Sequence, residues 1–192
     1  SNLWIVREAV DGGAGVVQLR EKEATTRDFI AEALALRPFL RSRKVPLVIN
    51  DRLDVALAVD ADGVHLGQKD MPLEMARRIA GDRMLVGISA ESLEDAVAAE
   101  RGGADYVGVS PVFATPTKTD TAPPLGLQGL REIRKTVRLP IVGIGGLNRD
   151  NAAEVIRNGI LKSLDELDQL TTDQLLEERQ RRLASFGQFK EA

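Results

Sequence analysis

The 192-residue chain contains no cysteine and a single histidine, His65. The absence of cysteine excludes disulfides, thiolate nucleophiles and cysteine-based metal sites. One histidine is too few for a histidine-cluster metal site or for a two-histidine mechanism. Candidate functional groups must therefore be sought among the other polar and charged residues.

A strong excess of one charge and a long apolar run are also missing. The 26 Lys and Arg residues nearly balance the 29 Asp and Glu residues, which leaves a net charge of −3. This balance disfavours bulk electrostatic binding to nucleic acid or anionic lipid. No apolar run approaches the ~20 residues that cross a bilayer, and the first residues lack the basic leader and apolar stretch of a signal peptide. We expect a soluble, cytoplasmic protein with neither nucleic-acid nor membrane partners.

Apolar residues make up 43% of the chain, which is enough to bury the core of one domain. Six short β-branched runs recur, each bounded by turn residues, and most gaps between them carry helix-like segments. This alternation is typical of the βαβ units of a parallel sheet and predicts an α/β fold. The runs cover residues 15–20, 45–50, 63–67, 84–89, 106–110 and 140–145.

The helix-like segments carry recognisable start and stop signals. Capping patterns open one helix at Thr26 and another at Ser92. Further helices are predicted over residues 54–59, 127–137 and 148–157.

Polar residues cluster where the predicted strands end. Ligands of parallel α/β folds bind at the carboxyl ends of the strands, so these side chains are expected to share one face. Cations and glycines suit phosphate, and carboxylates suit Mg²⁺, so the pattern favours a phosphate or pyrophosphate ligand with a divalent metal. The residues are Gln18, Arg20, Lys22, Asn50, Asp51, Gln68, Lys69, Asp70, Ser89, Thr115, Thr117, Lys118, Gly145 and Gly146.

Six short motifs within residues 5–159 occur in a fixed order and together resemble thiamine-phosphate synthase. Each motif is weak alone, whereas the ordered set is specific. The motifs are VQLREK (17–22), INDR (49–52), GVHLGQKD (63–70), GVSPVF (108–113), TPTK (115–118) and GIGG (143–146).

The resemblance implies a (β/α)₈ barrel of the TIM-barrel type and a transferase of thiamine biosynthesis. Such an enzyme joins hydroxymethylpyrimidine diphosphate to thiazole phosphate and releases pyrophosphate. The resemblance further implies Mg²⁺ bound by Asp51 and Asp70, and catalytic contributions from Arg20, Ser89 and Lys118. It assigns the pyrimidine diphosphate to Gln18, Arg20, Lys22, Asn50, Ser89 and Lys118, and the thiazole phosphate to Thr115, Thr117, Gly145 and Gly146.

The implied reaction needs no strong base. Departure of pyrophosphate leaves a positive pyrimidine methylene, which the ring nitrogens and amino group stabilise. The protein must then stabilise charge on the departing group, which Mg²⁺ and cationic side chains can do. A site without cysteine or an essential histidine is consistent with this chemistry.

Both ends of the chain depart from the family pattern. Residues 3–13 align with the first helix of the family, and no Gly-rich last strand follows Gly159. We therefore expect an incomplete barrel of about six strands in a domain of residues 1–160, followed by a helical extension over residues 161–192. The extension looks like the C-terminal end of acetyl-coenzyme A carboxylase carboxyltransferase alpha subunits. Open strand edges predict a homo-oligomer, and the missing last-strand loop predicts impaired catalysis.

Structural interpretations compete with several of these roles. Asp51 and Asp70 each precede a predicted helix start and could be N-caps instead of metal ligands. Gly145 and Gly146 could simply allow a tight turn.

The aromatic residues and the histidine favour packing roles. His65 lies mid-strand and is expected to be a satisfied packing residue, while Trp4 and Tyr106 are expected in the core.

Two other functions stay open beside the synthase: a thiazole tautomerase on the same barrel, and a catalytically inactive partial-barrel scaffold. The diphosphate-binding set Gln18, Arg20 and Lys22 favours the synthase, since a tautomerase has no diphosphate to hold.

Overall fold

The computed structural model describes residues 2–114, 123–148, 150–151 and 174. Helices and strands alternate along this part of the chain, and a 3₁₀ helix (Gly81–Arg83) leads into the fourth strand. In order, the elements are α1 (Leu3–Asp11), β1 (Val17–Leu19), α2 (Thr26–Ser42), β2 (Leu47–Asn50), α3 (Leu53–Ala58), β3 (Gly63–Leu66), α4 (Leu73–Ala80), β4 (Leu85–Ala90), α5 (Leu93–Arg101), β5 (Tyr106–Val109), α6 (Gly126–Thr136) and β6 (Ile141–Gly143).

The strands form one parallel sheet in the sequential order β1-β2-β3-β4-β5-β6. Each adjacent pair is parallel, with His65 aligned both to Asn50 on β2 and to Gly87 on β4. The six β-branched runs therefore all form strands, and the predicted α/β class with a parallel sheet is confirmed. Whether the sheet belongs to an eight-stranded barrel stays a prediction.

The two faces of the sheet differ in composition because successive side chains of a strand point to opposite sides. One face is apolar and packs on the helices: Ile49, Val64, Val86 and Val107 are each 0% exposed and belong to the hydrophobic core. The opposite face, called here the inner face, carries the polar strand residues: Gln18, Asn50, His65, Ser89 and Tyr106.

Local caps start two of the predicted helices. The Thr25 side chain accepts a hydrogen bond from the Asp28 amide at the start of α2, one residue before the predicted opening. At α5 the Ser92 side chain accepts from the Asp95 amide, as predicted. The helix α4 follows Pro72, where the sequence indicates a helix start without a predicted range.

Two aspartates, each lying just before a strand, form hydrogen bonds with the amino end of the preceding strand in the sheet. Asp62 Oδ2 accepts the Leu47 amide at 2.8 Å, and its own amide donates to the Leu47 carbonyl at 2.9 Å. Asp105 does the same for Val86, at 2.7 and 2.9 Å. Arg77 of α4 forms an ion pair with Asp105. These carboxylates hold the amino ends of the strands, opposite the ends where ligands bind in parallel α/β folds.

Trp4 does not lie in the core. Val6 and Val10, four residues apart, form the buried side of α1, whereas Trp4 is 68% exposed. Two residues along a helix turn a side chain by about 200°, so Trp4 lies on the side away from Val6.

The chain divides into two compact units, residues 1–146 and 147–192, and the whole sheet belongs to the first. The predicted helix over residues 148–157 and the predicted extension over 161–192 lie largely outside the described residues. The predicted domain boundary at residue 160 therefore stays a prediction. Among the described residues, no helix is both long and apolar enough to cross a membrane.

Candidate active site

Asp51 leaves the end of β2 in a constrained conformation. Its φ of 64° is left-handed, a region that aspartate tolerates better than most residues. Its amide donates to the His65 carbonyl of β3 at 2.8 Å. This bond keeps the chain that leaves β2 beside the end of β3.

Asp70 is held by a tight turn that follows β3. Its Oδ2 accepts the Gly67 amide at 2.7 Å, and its own amide donates to the Gly67 carbonyl at 3.1 Å. A Cβ at position 67 would lie 2.9 Å from that same oxygen, so the turn needs glycine. The turn fixes the direction of the Asp70 carboxyl group.

The carboxyl groups of Asp51 and Asp70 lie close enough to act on each other's charge. Burial raises the pKa of Asp51 to about 6, and Asp70 adds to the shift. The charges of Lys22 and Arg20 act in the opposite direction and lower the pKa of Asp51. The ends of β1, β2 and β3 thus bring two carboxyl groups and two cations together.

Neither aspartate acts as a helix cap. α3 begins after Arg52 and α4 after Pro72, and neither start has a side-chain cap hydrogen bond. The N-cap alternative for Asp51 and Asp70 is therefore wrong. Their carboxyl groups face each other instead of helix amides.

The pair could bind a divalent cation. Within the described part of the chain, no group of three or more His, Asp or Glu side chains converges. Two carboxylates match the way Mg²⁺ binds proteins, through one or two carboxylates with water and substrate phosphates as the other ligands.

A second polar group crosses the inner face of the sheet. His65 is 3% exposed; its Nδ1 lies 3.0 Å from the Tyr106 hydroxyl and its Nε2 lies 2.9 Å from Ser89 Oγ. The neighbouring Gln18 side chain acts to lower the pKa of Tyr106. Both ring nitrogens have partners, so the prediction of a satisfied, buried histidine is confirmed.

Tyr106 is the member of this group that sequence reasoning missed, because an aromatic residue in a strand was assigned to the core. It is half-buried and hydrogen-bonded on the inner face. The alternation of Tyr106 and Gly108 with Val107 and Val109 indicates which side of β5 each residue occupies. The valines are typical of the side that packs on helices, so the pattern places Tyr106 on the opposite side.

Asn50 lies on the inner face at the end of β2, in register with His65, and is 9% exposed. The Ser89 carbonyl at the end of β4 accepts a hydrogen bond from the Gln68 side chain. Asn50 and Gln68 extend the polar surface from the Asp51–Asp70 pair toward the group of His65, Tyr106 and Ser89.

Gly145 and Gly146 follow β6 with φ values of 91° and 65°. A Cβ at position 145 would lie 2.8 Å from Pro111 Cβ, and one at position 146 would lie 2.7 Å from the Ala114 carbonyl oxygen. The Phe113 amide donates to the Gly145 carbonyl at 3.0 Å. The pair therefore allows a tight turn against residues 111–114, and that turn presents its backbone at the end of β6.

The structure brings most of the described candidate residues to the same ends of the strands. The charges of Arg20, Lys22 and Asp70 all act on the Asp51 carboxyl group. Ser89 is linked to Tyr106 through His65. Thr115, Thr117 and Lys118 lie outside the described residues, so their placement stays a prediction.

Comparisons with known proteins identify the family. The family model described as thiamine monophosphate synthase matches residues 1–162. The thiamine-phosphate synthase of Chloroflexus aurantiacus is 59% identical over 159 residues, which cover 83% of this chain and 73% of that protein. The enzyme of the same name from Albidiferax ferrireducens is 55% identical over 155 residues, covering 81% and 71%.

A solved structure agrees with the sequence comparisons. The thiamine phosphate pyrophosphorylase from Pyrococcus furiosus superposes with a TM-score of 0.76 at 46% identity, covering 83% of this chain and 76% of that one. A matching family model over most of the chain and relatives above 50% identity lead to one conclusion: this chain belongs to the thiamine monophosphate synthase family.

Proposed function

We propose that this chain is a thiamine-phosphate synthase, which joins hydroxymethylpyrimidine diphosphate to thiazole phosphate and releases pyrophosphate. The observation that carries the proposal is the Asp51–Asp70 carboxyl pair beside Arg20 and Lys22 at the strand ends. The names of the similar proteins support it, since they are thiamine-phosphate synthases. The activity makes the chain a transferase.

The diphosphate is assigned to the cationic side of the cluster. Arg20 and Lys22 attract its oxygens, and Ser89 and Asn50 offer hydrogen bonds from the neighbouring strand ends. Gln18 holds the pyrimidine side of the same substrate.

Mg²⁺ is assigned to Asp51 and Asp70. The fit rests on two adjacent carboxyl groups that repel each other when both are ionised, a cost that a divalent cation removes. When bound, the ion neutralises charge on the diphosphate and so makes it a better leaving group.

The reaction breaks the bond between the pyrimidine methylene carbon and a diphosphate oxygen, and both bonding electrons leave with pyrophosphate. The thiazole nitrogen then supplies the electron pair of the new C–N bond. The protein's part is to hold the reactants and to stabilise the departing oxygens through Arg20, Lys22, Ser89 and Lys118. Thr115, Thr117, Gly145 and Gly146 are assigned to the thiazole phosphate.

The six sequential parallel strands support assignment of the sheet to a (β/α)₈ barrel, with the inner face as the barrel interior. A cytoplasmic location and a homo-oligomeric state complete the proposal, as expected from the sequence.

Pyrophosphate release tests the function directly. Both substrates are mixed with the chain and Mg²⁺, and pyrophosphate is expected only when both substrates are present. A tautomerase would release none, and an inactive scaffold would bind the pyrimidine diphosphate without turnover. Asp51→Asn is expected to abolish the Mg²⁺ dependence, whereas Asp54→Asn, the same change at an exposed residue paired with Arg52, should leave it intact.

A further inference from the structure

The side chains of Tyr106 and His65, which form one group with Ser89, pack next to two strand glycines, Gly87 and Gly108. A Cβ at Gly87 would overlap the Tyr106 ring, and one at Gly108 would lie 2.8 Å from His65 Cε1. Glycine weakens a strand, so glycines facing both rings mark a place where close approach is required. The three side chains come from β3, β4 and β5, and only the sheet register brings them together.

The direction of the hydrogen bonds follows from the donors available. The Gln18 side chain acts to lower the pKa of Tyr106. Burial outweighs this effect, and with the nearby Asp105 charge it raises the pKa of Tyr106 to about 12, so the phenol keeps its proton. A protonated phenol can donate to His65 Nδ1, which lies 3.0 Å from the Tyr106 hydroxyl oxygen.

An imidazole that accepts at Nδ1 carries its own proton on Nε2 when neutral. Nε2 then donates to Ser89 Oγ at 2.9 Å. Ser89 Oγ has become an acceptor in this bond, and its hydroxyl proton is left to donate elsewhere. Ser89 is partly exposed at the end of β4, where the diphosphate is assigned.

We propose that Tyr106 and His65 form a hydrogen-bond relay that orients the Ser89 hydroxyl as a donor to the diphosphate. This inference rests on the proposed function and adds two positioning residues, His65 and Tyr106, to it. Tyr106 sets the tautomer of His65, and His65 sets the direction of the Ser89 hydroxyl. Such orientation counts because a pre-aligned donor needs no rearrangement as charge develops on the leaving group.

The relay can be tested first without any ligand. Since His65 is the single histidine of the chain, nitrogen NMR of its imidazole is unambiguous. At about pH 8 and without metal, the wild-type ring is expected to carry its proton on Nε2. Tyr106→Phe keeps the ring over Gly87 but removes the hydroxyl, and a mixture of tautomers is expected. A wild-type proton on Nδ1 would overturn the relay, whether or not Tyr106→Phe folds.

The second test measures the effect on Ser89, with magnesium pyrophosphate as the probe and calorimetry as the readout. Ser89→Ala should weaken binding about tenfold or more, the scale of a lost hydrogen bond to a charged group. Tyr106→Phe should weaken binding less, and the double variant should bind no more weakly than Ser89→Ala alone. Effects that multiply in the double variant would mean that Tyr106 acts independently of Ser89, which contradicts the relay.

Val142→Ala is the matched control, because Val142 pairs with Gly108 on the same face and its apolar side chain takes no part in the hydrogen bonds of the relay. It should leave the tautomer and the pyrophosphate affinity unchanged. The two tests separate the claims. Absence of pyrophosphate binding to the wild type would count against the proposed function. The tautomer of His65, measured by NMR without ligand, would still decide whether the relay exists.

Discussion

The pKa of Asp51 is subject to opposing effects of its neighbours. Burial and Asp70 raise its pKa from 3.8 to about 6, while Lys22 and Arg20 oppose the shift. Between these values the unfolded chain has released a proton that the folded chain still holds. The stabilisation is therefore full below about pH 4 and is lost as the pH rises through about 6.

Replacement by asparagine tests this pH dependence. Asp51→Asn keeps a residue that tolerates the left-handed φ and removes the titrating group. Measured by thermal unfolding with a chelator present, the Tm of the variant minus that of the wild type should increase from about pH 4 to about pH 7. Asp54→Asn is the control with the opposite sign, because Arg52 lowers the pKa of the Asp54 carboxyl. Parallel pH curves for Asp51→Asn and the wild type would contradict the assignment.

At the scale of elements, β2 and β4 each have an aspartate hydrogen-bonded at their amino ends. In each case an aspartate of the next loop accepts the amide of a buried strand residue, Leu47 or Val86. Only Asp105 also pairs with an arginine, Arg77. Asp62 and Asp105 therefore allow a comparison between a carboxylate that accepts a strand amide and one that does so while also forming an ion pair with Arg77.

Alanine at either aspartate leaves a buried strand amide without its acceptor. Asp62→Ala should cost about 1–3 kcal/mol of unfolding free energy, and Asp105→Ala should cost more because Arg77 also loses its partner. Denaturant titration gives both values, and Asp105→Asn should fall between Asp105→Ala and the wild type. Asp62→Ala should not alter pyrophosphate affinity, since Asp62 lies at the strand ends opposite the site. An equal cost at the two positions would show that Arg77 contributes nothing.

The turn after β6 has a matched pair of glycines for a second test. Gly146 and Gly126 have almost the same φ, 65° and 62°, but only Gly146 would place a Cβ against neighbouring atoms. Gly126→Ala should cost about 1 kcal/mol for the left-handed backbone alone. Gly146→Ala should cost about 1–3 kcal/mol more because its Cβ would overlap Phe113 and Ala114. Equal destabilisation in denaturant titrations would exclude close packing as the reason for Gly146.

At the scale of the whole molecule, the described sheet ends at β1 and β6, and its inner face carries exposed apolar side chains. Leu85, Val142 and Ile144 are 40%, 41% and 37% exposed. Unpaired strand edges and exposed apolar surface both favour association with another chain.

We therefore expect the chain to self-associate as its concentration rises. Sedimentation velocity across a concentration series measures this directly. Lysine at both Val142 and Ile144 should shift the chain toward monomer, whereas Leu57→Lys on α3, at a side chain 45% exposed, should not. A single monomeric species at every concentration would show that the sheet edges are satisfied within one chain.

The elements could be predicted where their signals are local. β-branched runs, the Ser92 cap and the spacing of apolar residues depend on neighbours in sequence, so all six strands and α2, α3, α5 and α6 were predicted within a few residues of their ends. For α4 the sequence indicates only the start, at Pro72, and no range is predicted. Trp4 was misplaced because its exposure depends on which side of α1 packs, which no local pattern states.

The α/β class and the group of polar residues at the strand ends can be predicted from the sequence alone. This is possible because the carboxyl ends of parallel strands meet at one edge whatever the details of packing. Which of these side chains touch depends on the tertiary structure. The proximity of Asp51 to Asp70 and the link from Tyr106 through His65 to Ser89 join residues from different strands or from the loops after them. Their distances depend on sheet register and on the space left by Gly87 and Gly108. Register and close packing are long-range properties, so they arise only when the sheet has formed.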